Sequence, residues 1–266
     1  MNDRERIKRA GEYLAIEYAA KRPLDIMRQD FAPRFEAEAY AIQDAFQSFM
    51  TTARGPAVGY KIAYTNAIMR ERSGVNAPCS GRILSEGALD SPATVQRSDF
   101  VRLGVECEVA VKMASGLPAS GAPYSREDIS DAVEWLAVSF EIIDGRPAAD
   151  AEGQDPALKA IVTNISNAGA VLGEPVADWR DIDLPTSRGS LVVNGDLIGE
   201  GVGSDVLGHP VEPVAWLANN LADMGQSLEA GAIILTGSFV LPYMLDAGDV
   251  AVVAIDGLGE ARLDVS

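Results

Sequence analysis

Two glutamates, Glu106 and Glu108, stand inside an otherwise apolar run at 103–111, Leu-Gly-Val-Glu-Cys-Glu-Val-Ala-Val. The run predicts a β-strand, in which successive side chains point to opposite faces. The two carboxylates therefore share one face and lie side by side. The other face, formed by Val105, Cys107 and Val109, is equally apolar, which is typical of a strand in the centre of a sheet.

This pair of neighbouring carboxylates limits what the fold can do with the strand. Like charges repel, and burial raises the free energy needed to keep both groups ionised. Three arrangements avoid that cost: the pair binds a hard divalent cation, shares one proton as an acid/base dyad, or faces solvent. The apolar opposite face favours the first two arrangements.

A third acid, Glu141, lies in a second apolar run at 138–143. Three strand carboxylates without a histidine or cysteine cluster are hard oxygen ligands, which suit Mg²⁺ or Mn²⁺ better than zinc. The spacing thus predicts a metal site made of Glu106, Glu108 and Glu141. The alternative for Glu141 is an ion pair with Arg146 or another base.

Two further signals are weaker when taken alone. Lys61 lies in a predicted strand at 59–63 that has no other charge. Such a cation pairs with a carboxylate, holds a substrate carboxylate, acts as a base with a lowered pKa, or extends from a sheet edge into solvent. Thr236 and Gly237 follow an apolar run at 232–235, and a strand end of this kind can turn hydroxyl and N–H groups toward an anion.

Composition narrows the class of protein. The formal net charge of −17 disfavours nucleic acids and anionic membranes as partners. The chain has 2 cysteines, too few for a disulfide framework, and no run near the roughly 20 apolar residues of a transmembrane helix. We therefore expect a cytoplasmic protein. The single histidine, His209, precedes Pro210 and is predicted to start a helix rather than to catalyse.

The order of predicted elements indicates an α+β protein with a mixed or antiparallel curled sheet. Apolar residues at helical spacing predict helices at 3–21 and 34–52, and short strands alternate with glycine and proline from Gly55 onward. A capping box at Ser125 predicts a helix that runs to about Ala137, and a second helix is predicted at 210–225. Asn194-Gly195 between two apolar runs predicts a β-hairpin.

Motifs in a fixed order connect these signals. They are Gly-Tyr-Lys-Ile at 59–62, Val-Glu-Cys-Glu-Val-Ala at 105–110, Phe-Glu-Ile-Ile at 140–143, Leu-Gly-His-Pro at 207–210 and Ile-Leu-Thr-Gly at 234–237. Together they resemble the 2-keto-4-pentenoate hydratase and 4-oxalocrotonate decarboxylase branch of the fumarylacetoacetase superfamily, over about 37–265. The resemblance implies a mixed β-roll catalytic domain at 56–266 behind an N-terminal helical segment at 1–55, assembled into a homo-oligomer.

The resemblance also implies a site and a reaction. Glu106, Glu108 and Glu141 match the family's Mg²⁺ or Mn²⁺ ligands, and Lys61 matches its active-site lysine. Thr236 and Gly237 match the turn that faces the substrate carboxylate. The implied substrate is a small unsaturated 2-oxo acid from aromatic catabolism.

Two positions depart from the family pattern. Cys79 stands where an acid is usual after Pro78. Thr163 also replaces an acid, while the following Asn164 and Ser166 match and are expected to bind substrate. The resemblance favours a hydratase, and these two departures are the reason to keep other reactions open. Decarboxylation, C–C hydrolysis or tautomerisation of a related 2-oxo acid remain alternatives, as does a non-catalytic role in metabolite binding or in stabilising a complex.

Overall fold

The computed structural model describes residues 2–148 and 154–266. Within these ranges the chain has six α-helices, most of them short and packed against the sheets. They are α1 (Asp3–Ala19), α2 (Glu36–Arg54), α3 (Ala67–Ser73), α4 (Arg126–Ala132), α5 (Pro156–Val162) and α6 (Glu212–Asp223). None of these helices combines the length and the apolar character needed to cross a lipid bilayer.

The strands form two sheets. They are β1 (Ala57–Ala63), β2 (Cys79–Leu84), β3 (Ala88–Asp90), β4 (Ala93–Val95), β5 (Leu103–Met113), β6 (Val133–Asp144), β7 (Asn167–Leu172), β8 (Arg188–Val193), β9 (Asp196–Val202), β10 (Ile233–Ser238), β11 (Tyr243–Met244), β12 (Val250–Ile255) and β13 (Gly259–Val265). The larger sheet has the order β2-β1-β10-β5-β6-β7-β3, with β11 beside β5, and the smaller has the order β4-β13-β12-β8-β9. Both sheets are mixed, since β1 pairs parallel with β10, β3 with β7 and β4 with β13.

The central pair β5 and β6 separates the main core from the site. Val105, Cys107 and Val109 of β5 pack in one buried cluster with residues of the smaller sheet, including Leu191 and Val253. Because side chains alternate along a strand, the even-numbered residues of this part of β5 point away from that core. The predicted placement of the two glutamates on one face follows from this alternation.

The N-terminal helices α1 and α2 pack onto the β-roll through a second apolar cluster. Tyr18 at the end of α1 is a main anchor of this contact. The guanidinium of Arg146 lies 3.9 Å from the centre of the Tyr18 ring and also donates to the backbone oxygen of Tyr18 at 2.6 Å. Arg54 donates to the Tyr18 hydroxyl at 2.8 Å. The division at 55/56 into two domains stays a prediction. In the structure, the N-terminal helices share this apolar cluster with residues of β2 and α5.

Most element predictions hold, and one fails at its boundary. The α+β class is confirmed, and the Asn194-Gly195 hairpin joins β8 to β9 with both residues at positive φ, 54° and 90°. The capping box at Ser125 is present, but α4 ends at Ala132 rather than near Ala137. Val133 already pairs with Met113 of β5, so the long strand pairing overrides the helical spacing of this segment.

Candidate active site

The pairing of β5 with β6 brings three carboxylates together. Glu106 lies directly opposite Glu141 in the antiparallel register, and Glu108 follows on the same face of β5. One carboxylate oxygen from each residue lies within 4.8 Å of the others. Glu108 and Glu141 are buried, whereas Glu106 is partly exposed to the cavity described below.

Neighbouring strands hold two of these carboxylates by hydrogen bonds. Lys61 of β1 donates from Nζ to Glu141 Oε2 at 3.0 Å and lies 2.9 Å from Oε1. Asn167, the first residue of β7, donates from Nδ2 to Glu141 Oε1 at 3.0 Å. The backbone N–H of Gly237 donates to Glu108 Oε2 at 2.7 Å. The site therefore draws on β1, β5, β6, β7 and the end of β10.

The electrostatics show that this cluster carries too much negative charge for its burial. Burial, followed by the Glu141 charge, raises the pKa of Glu106 to about 8. Burial and the charges of Glu141 and Glu106 raise the pKa of Glu108 well above its usual value. For Lys61, burial opposes the ammonium charge, but the surrounding carboxylates outweigh it and raise the pKa. Of the roles considered from the sequence for Lys61, the structure shows pairing with a carboxylate, that of Glu141.

The donor set fits a hard divalent cation. All three candidate ligands are carboxylates, and the nitrogen groups bonded to them (an ammonium, a side-chain amide and a backbone N–H) donate rather than ligate. Three carboxylates, one ammonium and one divalent cation sum to zero charge. That balance removes the repulsion that otherwise drives protons onto Glu106 and Glu108, and it suits Mg²⁺ or Mn²⁺.

A cavity of about 850 Å³ opens over this cluster. Lys61, Glu106 and Glu108 line part of its wall, and the end of β1, α3, α5 and the segment after β10 form the rest. Apolar side chains such as Ile143 and Phe239 alternate with polar ones. A volume and lining of this kind are typical of a site for a small organic ligand.

A left-handed turn forms one side of the cavity. Asn164, Ile165 and Ser166 have φ values of 54°, 50° and 60°, a conformation that L-residues rarely adopt in succession. Ile165 and Ser166 line the cavity, as the resemblance predicts for Ser166. Asn164 does not line it. Its amide instead accepts from the Arg82 backbone N–H at 2.6 Å and donates to the Arg82 carbonyl at 2.9 Å.

The remaining sequence-predicted residues lie near the site without lining the cavity. Thr236 is fully buried and donates from its hydroxyl to the Val109 carbonyl at 3.2 Å. Gly237 has φ +115°, and a Cβ at this position would collide with Thr65, so glycine is required here. Cys79 is buried at the start of β2, and burial raises the pKa of its thiol to about 12. Of the bases considered as partners of Glu141, Arg146 pairs instead with Asp144 at 2.6 Å, and the base that pairs with Glu141 is Lys61.

Sequence reasoning missed several residues of this site. Asn167 orients Glu141, and Tyr64, Arg72 and Lys159 line the cavity. The sequence offered a sign that Tyr64 belongs to the site, because this residue directly follows the strand that carries Lys61. In the structure, Tyr64 has φ 61°. The others lie in separate segments, and only the fold brings them to the same wall.

His209 plays the part predicted from the sequence. Its Nδ1 accepts from the backbone N–H of Val211 at 3.0 Å, just before α6 begins. Burial lowers the pKa of this imidazole, which keeps the acceptor nitrogen unprotonated. His209 is not among the residues that line the cavity.

Comparisons with known proteins identify the family of the chain. A 2-oxo-hept-4-ene-1,7-dioate hydratase of Escherichia coli is 32% identical over 215 residues, 80% of each chain. A 2-hydroxyhexa-2,4-dienoate hydratase of Comamonas testosteroni is 29% identical over 99% of this chain and 98% of its own. The structure of 4-oxalocrotonate decarboxylase from Pseudomonas putida G7, complexed with magnesium and adipate, matches with a TM-score of 0.88 and 26% identity. It covers 100% of this chain and 99% of that one. The family model for the fumarylacetoacetate (FAA) hydrolase C-terminal region matches residues 64–266, and the chain therefore belongs to this family.

Proposed function

We propose that this protein is a Mg²⁺-dependent hydro-lyase that hydrates a small unsaturated 2-oxo acid of the 2-hydroxypenta-2,4-dienoate (2-keto-4-pentenoate) type. The observation that carries the proposal is the cluster of Glu106, Glu108 and Glu141 with Lys61, of which Lys61, Glu106 and Glu108 line the wall of one cavity. The hydratases among its relatives support the same reaction class. Mn²⁺ has the same preference for oxygen ligands and is the alternative metal.

Each residue of the site has a separate role in the proposed reaction. Glu106, Glu108 and Glu141 would hold Mg²⁺, which when bound would supply Lewis-acid polarisation of a 2-oxo group. Lys61 fixes the Glu141 carboxylate and lines the cavity, so its ammonium group can also orient a substrate oxygen. Tyr64 and Ser166 also line this cavity, and we propose that their hydroxyl groups exchange protons with the carbon chain of the substrate. Ketonisation of a dienol gives a conjugated enone, to which water then adds.

A metal add-back experiment tests this proposal. Protein stripped with EDTA should leave 2-hydroxypenta-2,4-dienoate absorbance unchanged, and added Mg²⁺ should restore its loss. Glu141→Gln should abolish the restored activity, whereas Glu134→Gln, an exposed acid on the same strand, should retain it. A Glu141→Gln protein with normal turnover would show that the metal ligands are assigned wrongly.

Decarboxylation is the second candidate reaction. It is favoured by one observation, the match over the whole chain to the 4-oxalocrotonate decarboxylase structure. The same electron sink that assists hydration would accept the electron pair left by departing CO₂. Product analysis separates the reactions, because hydration yields a hydroxy-oxo acid, decarboxylation releases CO₂, and C–C hydrolysis yields two fragments. No turnover with any of these acids would favour the non-catalytic alternative.

We also infer a homo-oligomer. Several large apolar side chains are more than half exposed on the single chain, among them Phe35, Ile68 and Leu241 at 55%, 58% and 56%. Apolar exposure of this kind is often covered by another subunit. Sedimentation equilibrium tests the inference, and a mass equal to the 28.1 kDa chain would contradict it.

A further inference from the structure

The strand that carries Asn167 is irregular beside the glutamate cluster. Two consecutive residues of β6, Ile142 and Ile143, lie opposite Gly169 and Asn167 of β7. Ala168 is therefore an extra residue in β7, and the pairing contains a β-bulge at this point. Side chains alternate along a strand, so one extra residue reverses the alternation beyond it. The bulge thereby decides which face of the sheet Asn167 occupies.

The two faces of the sheet show the effect of this reversal. Ala170 lies opposite Glu141 and shares its face. In a regular strand Ala168 would also lie on that face, and Asn167 would point to the main core. The structure has the opposite arrangement, because Ala168 is buried in the main core and the Asn167 amide donates to Glu141 at 3.0 Å. The hydrogen bond to Glu141 therefore depends on the bulge.

Arg54, the last residue of α2, contacts the bulge from outside the sheet. Its Nη2 donates to the carbonyl oxygen of Ala168 at 2.6 Å, and its Nη1 donates to the Tyr18 hydroxyl of α1 at 2.8 Å. Gly87 leaves room for this contact, since a Cβ there would lie 2.9 Å from the Ala168 oxygen and 3.2 Å from Arg54 Nη2. A bulge disrupts the regular strand pairing, so a charge-assisted hydrogen bond to its extra residue stabilises the irregular form.

We propose that Arg54 is a positioning residue for the metal site, which keeps the bulge in place and thereby holds Asn167 on Glu141. The inference rests on the proposed function, because Glu141 is one of the three glutamates assigned there to Mg²⁺. Arg54 is not among the residues that line the cavity, so its effect passes through Ala168 and Asn167. A pure charge effect would have the opposite sign, since removing a nearby cation favours the binding of another cation.

Calorimetric titration with Mg²⁺ tests this role. Arg54→Met should weaken Mg²⁺ binding about tenfold, as is typical for residues that orient metal ligands. Gly87→Ala keeps the arginine and its charge but crowds the same contact, and it should shift the affinity in the same direction. Arg180→Met is the matched control with unchanged affinity, because Arg180 donates to the Ser130 carbonyl at 2.7 Å and lies 4.8 Å from the Trp179 ring. Unchanged or tighter Mg²⁺ binding in Arg54→Met would overturn the proposal.

A double variant distinguishes positioning from a general loss of packing. If Arg54 acts through Asn167, the combination of Arg54→Met with Asn167→Leu should bind Mg²⁺ as weakly as Asn167→Leu alone. Circular dichroism confirms that each variant is folded. A further loss in the double variant, equal to that caused by Arg54→Met in the unmodified protein, would mean independent effects and would overturn the proposal.

Crystal structures of the metal-free variants provide a second readout. The Asn167 amide should lie beyond hydrogen-bond distance of Glu141 in Arg54→Met and within that distance in Arg180→Met. A retained bond in Arg54→Met would overturn the proposal even if Mg²⁺ binding were weaker. If the unmodified protein bound no Mg²⁺ while Asn167 was displaced in Arg54→Met, the positioning role would stand and the proposed function would fail.

Discussion

Lys61→Met tests the electrostatic account of the glutamate cluster. The substitution keeps a long side chain in β1 but removes the ammonium group that lies 2.9 Å from Glu141 Oε1. Both partners are buried, with side-chain exposures of 3% and 0%. Removing one member of a buried ion pair leaves the other as an uncompensated charge, which typically costs about 3–5 kcal/mol.

The expected loss of stability depends on how the variant neutralises the charge left on Glu141. A buried carboxylate without its partner is relieved when it binds a proton. From the ordinary glutamate pKa of about 4.3, holding the group neutral costs about 3.7 kcal/mol at pH 7 and about 1 kcal/mol at pH 5, at 1.36 kcal/mol per pH unit. Since the folded variant then binds more protons than the unfolded chain, its stability falls as pH rises. The gap between variant and unmodified protein should therefore widen from pH 5 to pH 7.

Urea unfolding of EDTA-treated protein at the two pH values measures this gap. Tryptophan fluorescence reports the transition, and a fixed protein concentration removes any contribution from subunit association. Lys8→Met, at an exposed lysine of α1, should lie within about 0.5 kcal/mol of the unmodified protein at both pH values and serves as the control. An equal loss for Lys61→Met at pH 5 and pH 7 would refute the charge argument and point to lost packing.

Three further predictions concern the same site. Because the pKa of Glu106 is raised to about 8 without metal, Mg²⁺ binding at pH 7 should release protons. For each proton released, the affinity for Mg²⁺ should fall about tenfold when the pH is lowered by one unit. Calorimetry in buffers of different ionisation enthalpy measures this release, and buffer-independent heats would contradict it. Asn167→Leu removes a hydrogen bond to Glu141 and should weaken Mg²⁺ binding by about 10–100-fold in the same titration; unchanged affinity would show that the bond is dispensable. Asn164→Ala should lower the free energy of unfolding by about 2–3 kcal/mol through its lost bonds to the Arg82 backbone, with an unchanged substrate KM, and the reverse result would return Asn164 to the substrate site.

The glutamate cluster could be predicted from the sequence because it depends on short-range geometry. Alternation along a single strand places Glu106 beside Glu108, and an acid inside a second apolar strand is a strong signal by itself. The register that sets Glu106 opposite Glu141 was not accessible, since it depends on how β5 and β6 pair over their whole length. The same pairing explains why the helix prediction extended too far, because Val133 pairs with Met113 of β5 and therefore belongs to β6.

The polar residues around the cluster were harder to assign. A match to a family motif says that a residue is retained, without saying whether its side chain serves the ligand or the backbone. Asn164 and Thr236 both use their side chains on backbone groups, of Arg82 and Val109 respectively. Arg72 and Lys159, which line the cavity, were missed for a different reason, since neither α3 nor α5 has a pattern that links it to the glutamate strands.

The left-handed turn at 164–166 has a consequence for how the protein responds to mild perturbation. A backbone held in this conformation stores of order 1–3 kcal/mol per residue, which its anchors must offset. The Asn164 amide on Arg82 and the Asn167 amide on Glu141 flank the turn. When both anchors open in mild denaturant, we expect the intervening residues to relax toward extended backbone and Ser166 to leave the cavity while the sheets remain paired. Activity should therefore disappear at a lower urea concentration than secondary structure, and amide hydrogens of this segment should exchange earlier than those of β5 and β6.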